Sequence, residues 1–177
     1  MSDVKTLATV WLDGCSGCHM SLLDMDERLI ELSSQFQLVY SPLVDRKTFP
    51  DRVDVTLVEG AVASVDDLKK IRKIREHTRV LVSLGDCALT GNVSAMRNTC
   101  GVQPVLLRVY EENVDLQKQV PTVGVPALLE RVCPVHEVVP VDVFVPGCPP
   151  SADTIYQVLS ELLAGRVPSL GGVAHFG

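Results

Sequence analysis

The stretch Lys5-Thr6-Leu7-Ala8-Thr9-Val10-Trp11-Leu12-Asp13-Gly14-Cys15-Ser16-Gly17-Cys18 decides how the rest of the chain is read. Lys5 to Leu12 is a short, mostly apolar run that predicts a strand, and the pair Cys15 and Cys18 follows it directly, among glycines. The pattern returns downstream. Val53 to Val58 predicts a strand followed by Glu59-Gly60-Ala61, Arg79 to Leu84 one followed by Gly85-Asp86-Cys87, and Val141 to Val145 one followed by Pro146-Gly147-Cys148-Pro149-Pro150. Phe36 to Val44 predicts a further strand.

Helical patterns lie between these runs. His19 to about Ser34 carries Leu22, Leu23, Leu29, Ile30 and Leu32 on one face, and Asp66 to His77 carries Leu68, Ile71 and Ile74, with Ser64 available as a cap. A short helical piece is expected around Asn92 to Asn98, another helix at Pro126 to Val132, and a last one at Ser151 to Leu163, introduced by Pro149 and Pro150. Gly101 to Val120 is poorly patterned and is expected to be irregular, an excursion toward a partner. Apolar strands alternating with helices predict a parallel sheet covered on both faces. The expected fold is therefore an open, flavodoxin-like α/β sheet with helices on both faces, as one domain over 1–177, without repeat or linker.

In such sheets ligands sit beyond the carboxyl ends of the strands. Cys15, Cys18, Cys87 and Cys148 all fall there, each beside a glycine that lets backbone approach a ligand closely. Four converging thiolates are the ligand set of an iron–sulfur cluster or of a structural zinc. Zinc sites are more often two local pairs, whereas this set is dispersed along the chain, and a proline follows Cys148 as in ferredoxin cluster motifs. Cys15-Ser16-Gly17-Cys18-His19 also matches the pattern for covalent haem attachment, but that motif belongs to exported, mostly helical proteins. A thioredoxin-like dithiol would leave Cys87 and Cys148 unexplained.

Composition narrows the function classes. The 177 residues carry 16 basic and 22 acidic side chains, a net charge of -6, which argues against nucleic acid as a partner because phosphate binding relies on Lys and Arg. Met1 to Leu12 lacks the charged and apolar regions of a signal peptide, and no apolar run reaches the roughly 18 residues of a membrane span. A cytoplasmic location is expected, where thiols stay reduced and clustered cysteines bind metal or do redox work.

The four segments Leu12 to Cys18, Val58-Glu59-Gly60-Ala61-Val62, Gly85-Asp86-Cys87-Ala88 and Pro146 to Ser151 occur in the same order as in small subunits of nickel–iron hydrogenases. The chain resembles that family over nearly its whole length. The resemblance implies that Cys15, Cys18, Cys87 and Cys148 hold one proximal [4Fe-4S] cluster, relaying electrons to or from a nickel–iron centre in a separate large subunit. The related quinone-reductase (complex I) subunit uses adjacent cysteines at the first position, whereas Ser16 and Gly17 separate the pair here, which favours hydrogenase. The end at Gly177 leaves no room for the additional clusters of longer small subunits, so the chain looks like the short small subunit of cytoplasmic NAD-reducing (bidirectional) hydrogenases. Their diaphorase subunits, which carry FMN and further clusters, would take the electrons to NAD. A single cluster exchanges one electron at a time and cannot split hydrogen, so no catalytic residue for that step is expected in this chain. The alternatives are a complex I-type cluster subunit and a zinc-stabilised protein-interaction module.

Several further residues carry expectations. Glu59, on the cluster edge, is read first as a carboxylate capping backbone amides and second as part of a proton path. His19 is expected at a surface or interface rather than as a ligand, and Trp11 either in the core or shielding a cluster from water. Lys69, Lys70, Arg72, Lys73 and Arg75 read as a solvated helix face, and Cys100 and Cys133 as buried thiols off the edge. An FMN bound directly to this chain has no supporting motif, because cysteines stand where a flavodoxin has its Ser- and Thr-rich phosphate loop.

Overall fold

The computed structural model describes residues 4–170 and Phe176. Five strands form the central sheet: β1 (Lys5–Trp11), β2 (Phe36–Tyr40), β3 (Val53–Glu59), β5 (Thr78–Leu84) and β7 (Val143–Val145). Their order is β2-β1-β3-β5-β7 and every neighbouring pair is parallel, which is the flavodoxin-like order. The chain adds β2 on one side of β1 and β3 on the other. The direction of winding reverses between β1 and β3, so a crevice opens at their carboxyl ends.

Alternation along these strands feeds two cores. Leu7, Leu57, Val82 and Leu84 face α1 (Gly17–Leu23), α2 (Glu27–Ser33) and α6 (Ala152–Leu163), meeting Leu22, Leu32, Ile155 and Leu159. Ala8, Val10, Val58 and Leu81 face α3 (Val65–Glu76) and α4 (Asp86–Thr90), meeting Ile71, Ile74, Ala88 and Leu89. Each buried Leu or Ile contributes about 1.5–3 kcal/mol. The starts of α3 and α6 are as the sequence suggests. Ser64 and Asp67 form a reciprocal capping box on α3, and the Ser151 hydroxyl accepts from the Thr154 amide at 3.2 Å to open α6.

Four expectations are corrected. The single helix at His19 to Ser34 is two, because Asp26 takes a positive φ of 49° and the break drives Met25 into the core. The second strand ends at Tyr40, where Ser41 turns the chain by accepting from the Leu43 amide at 3.1 Å. The excursion after Gly101 contains α5 (Val102–Leu107) and a wider turn over Arg108–Glu112. The helix placed at Pro126 to Val132 is instead strand β6 (Leu128–Cys133), paired antiparallel with an unanticipated short strand, β4 (Val62–Ser64). The Asn98 side chain covers the ribbon's other edge, its Oδ1 accepting from Val132 N at 2.8 Å and its Nδ2 donating to Val132 O at 2.9 Å. That pairing satisfies backbone groups that a helix would have satisfied internally.

Candidate metal-cluster site

The loops leaving β1, β5 and β7 bring Cys15, Cys18, Cys87 and Cys148 to one cavity of about 70 Å³, shared with Gly17, Glu59, Asp86, Gly147 and Pro149. Cys18 is buried, Cys87 is half-buried, and Cys15 and Cys148 are exposed, so the cavity opens to the surface. Its walls need glycine. A Cβ at Gly85, whose φ is +82°, would lie 2.3 Å from the Cys18 sulfur, and one at Gly60 would lie 2.9 Å from the Asp13 backbone.

Polar clamps fix the loops. The Asp86 carboxylate accepts from Gly147 N at 2.7 Å while Asp86 N donates to Gly147 O at 2.9 Å, which ties the Cys87 loop to the Cys148 loop. Ser21 Oγ donates to Pro150 O at 2.5 Å. Glu59, 2% exposed, accepts from the amides of Cys18 at 3.3 Å and His19 at 2.9 Å, and its carboxylate also pairs with His19 Nδ1. The amide-capping expectation for Glu59 matches these bonds. His19 Nε2 continues the chain to Thr9 Oγ1 at 3.0 Å, and Thr9 donates to Ser41 Oγ at 2.8 Å.

Burial first, and charge repulsion after it, oppose ionisation of the two inner thiols. Burial pushes the Cys18 thiol well above its ordinary range, and the negative charge of Glu59 and of the other three cysteines adds to the shift. Burial likewise raises Cys87, followed by repulsion from Cys148, Cys15, Glu59 and Asp13. A bound metal would supply the positive charge that lets these two sulfurs ionise. Four thiols lining one cavity are a donor set that fits an iron–sulfur cluster.

Other expectations are corrected here. His19 is 5% exposed and pairs with Glu59, so it is an inner residue and not a surface one. Trp11 is 43% exposed, neither in the core nor among the cavity residues, and its Nε1 donates to Gly14 O at 3.1 Å. Lys69, Arg72 and Lys73 are solvated, but Lys70 donates to Trp11 O at 3.0 Å and Arg75 bridges to Thr78 O and Asp142. Cys100 is exposed and Cys133 half-buried, and neither reaches the cavity. The sequence reading missed Asp86 and Asn92. Asn92 Nδ2 donates to Cys148 Sγ at 3.4 Å, and its position after Gly91, where asparagine tolerates the positive φ of 38°, was the available signal.

A doubly wound α/β domain with a thiol-lined cavity at its switch point defines the class. The chain belongs to the family described as NADH ubiquinone oxidoreductase, 20 Kd subunit, whose model matches residues 15–162. It is 39% identical to the NAD-reducing hydrogenase HoxS subunit delta of Cupriavidus necator, over 90% of this chain and 79% of that one. It is also 35% identical, over 91% of its length, to a chain of the F420-non-reducing hydrogenase of Methanocaldococcus jannaschii, of which it spans 57%. The crystal structure of an NAD+-reducing [NiFe]-hydrogenase in the H2-reduced state contains a chain that superposes with a TM-score of 0.94 at 38% identity. The match covers 99% of this chain and 100% of that one. A Ni-Fe-Se hydrogenase from Desulfomicrobium baculatum shares the fold, at a TM-score of 0.59 and 19% identity. The chain is thus homologous to a subunit of an oxidoreductase complex, an NAD-reducing [NiFe]-hydrogenase.

Proposed function

We propose that this chain is the electron-transfer small subunit of a cytoplasmic NAD-reducing [NiFe]-hydrogenase, a single cluster domain in which Cys15, Cys18, Cys87 and Cys148 hold one [4Fe-4S] cluster. The observation that carries the reading is the gathering of those four thiols, from three loops distant in sequence, around one cavity at the switch point. When bound, the cluster supplies one-electron redox chemistry. The protein's own residues do the rest: Gly85 and Gly17 make room for the sulfurs, Asp86 locks two ligand loops together, and the buried wall holds water away from Cys18. Glu59 acts by holding the Cys18 and His19 amides, with a proton-path role as its second reading.

Full-length similarity to NAD-reducing hydrogenase chains supports a large subunit carrying the Ni-Fe centre and diaphorase subunits carrying FMN as partners. Among the described residues no helix is long and apolar enough to cross a membrane. The test uses the assembled complex. Cys87→Ser should leave hydrogen–deuterium exchange at the Ni-Fe site while hydrogen-driven NAD reduction falls at least tenfold. Undiminished NAD reduction in that variant would overturn the assignment.

A further inference from the structure

Resting on that reading, we infer that Asn92 is a positioning residue that sets the cluster's reduction potential through Cys148. The four sulfurs do not have equal surroundings. Cys18 is buried beside the Glu59 carboxylate, which opposes added negative charge, and among the described residues Cys15 accepts from the backbone amide of Gly17 at 3.4 Å and from no side chain. Cys148, exposed at the cavity mouth, accepts from the Asn92 amide at 3.4 Å. Among the described residues, Asn92 is the one side chain that donates a hydrogen bond to any of these four thiols.

Its placement is built into the backbone. Gly91 ends α4 in the left-handed region at φ +83°, and a Cβ there would lie 2.7 Å from that of Ala95. Asn92 follows with φ +38°, and its own amide is held by Thr90 Oγ1 at 3.3 Å. Two consecutive residues with positive φ aim the side chain across the mouth toward a cysteine 56 positions further on. A positive φ is uncommon outside glycine, and asparagine is among the residues that adopt it most readily.

The physical consequence has a definite sign. An N–H donor on a ligand sulfur stabilises the more negative, reduced cluster more than the oxidised one, and so raises the potential. Glu59, which holds the Cys18 amide, acts in the other direction on the Cys18 side of the site.

The experiment is anaerobic potentiometry of the full reconstituted chain, followed by electron paramagnetic resonance of the reduced cluster. Asn92→Gly keeps the positive φ and removes the donor, and the ratio of reduced to oxidised cluster at fixed ambient potential should fall about tenfold, equal to about 59 mV for one electron. Asn92→Asp keeps the shape, replaces the donor with a carboxylate and should fall further, with iron and sulfide unchanged in both. Wild-type potential in Asn92→Gly, or Asn92→Asp no lower than Asn92→Gly, would overturn the inference. A wild-type chain that takes up no iron and sulfide would instead overturn the cluster reading itself.

Discussion

At the residue scale, burial and neighbouring negative charge oppose ionisation of Cys18 and Cys87, so the site favours a bound cation over free thiolates. Cys87→Ser removes one proposed ligand and should cost the reconstituted chain most of its iron, whereas Cys100→Ser and Cys133→Ser, away from the cavity, should leave metal content unchanged. Metal analysis after desalting checks both. Glu59 holds three donors in a buried setting, so Glu59→Leu should destabilise the chain by about 3 kcal/mol in chemical denaturation, with Glu59→Gln losing less because its amide oxygen still accepts. If Glu59→Gln changes neither hydrogen–deuterium exchange nor turnover in the complex, the proton-path reading of Glu59 is excluded. The thiols were legible in the sequence because each directly follows an apolar strand and a glycine turn. The pairing of His19 with Glu59 was not, because those residues are 40 positions apart and meet only after β1 and β3 pair.

At the element scale, legibility followed the strength of the local signal. β3 and β5 are apolar runs and were placed within a residue of their ends. β4 has three residues, too few for any periodicity to show, and β6 exists only because it pairs with β4. α5 has no side-chain cap and contains Pro104, which hides a helix from capping and propensity arguments. The capped helices allow a direct check. Ser64→Ala breaks the reciprocal cap on α3 and should cost about 1 kcal/mol of stability, measurable as a lower denaturation midpoint with unchanged slope. Gly85→Ala acts elsewhere, because its Cβ would displace the Cys18 sulfur, and it should abolish cluster loading in a chain whose far-ultraviolet circular dichroism stays native.

At the scale of the whole molecule, a doubly wound sheet gathers loops distant in sequence at one crevice, and here three of those loops deliver cysteine. Exposed Val93 and Met96 lie in the 3-10 helix that starts at Asn92, the residue bonded to Cys148, so apolar surface adjoins the open side of the cavity. That arrangement suits a redox domain covered by a partner where electrons cross. The central claim is that the four thiols hold a [4Fe-4S] cluster, and the most direct measurement is iron, zinc and acid-labile sulfide in the anaerobically purified, reconstituted chain. About four iron and four sulfide per chain are predicted. Stoichiometric zinc without sulfide would contradict it.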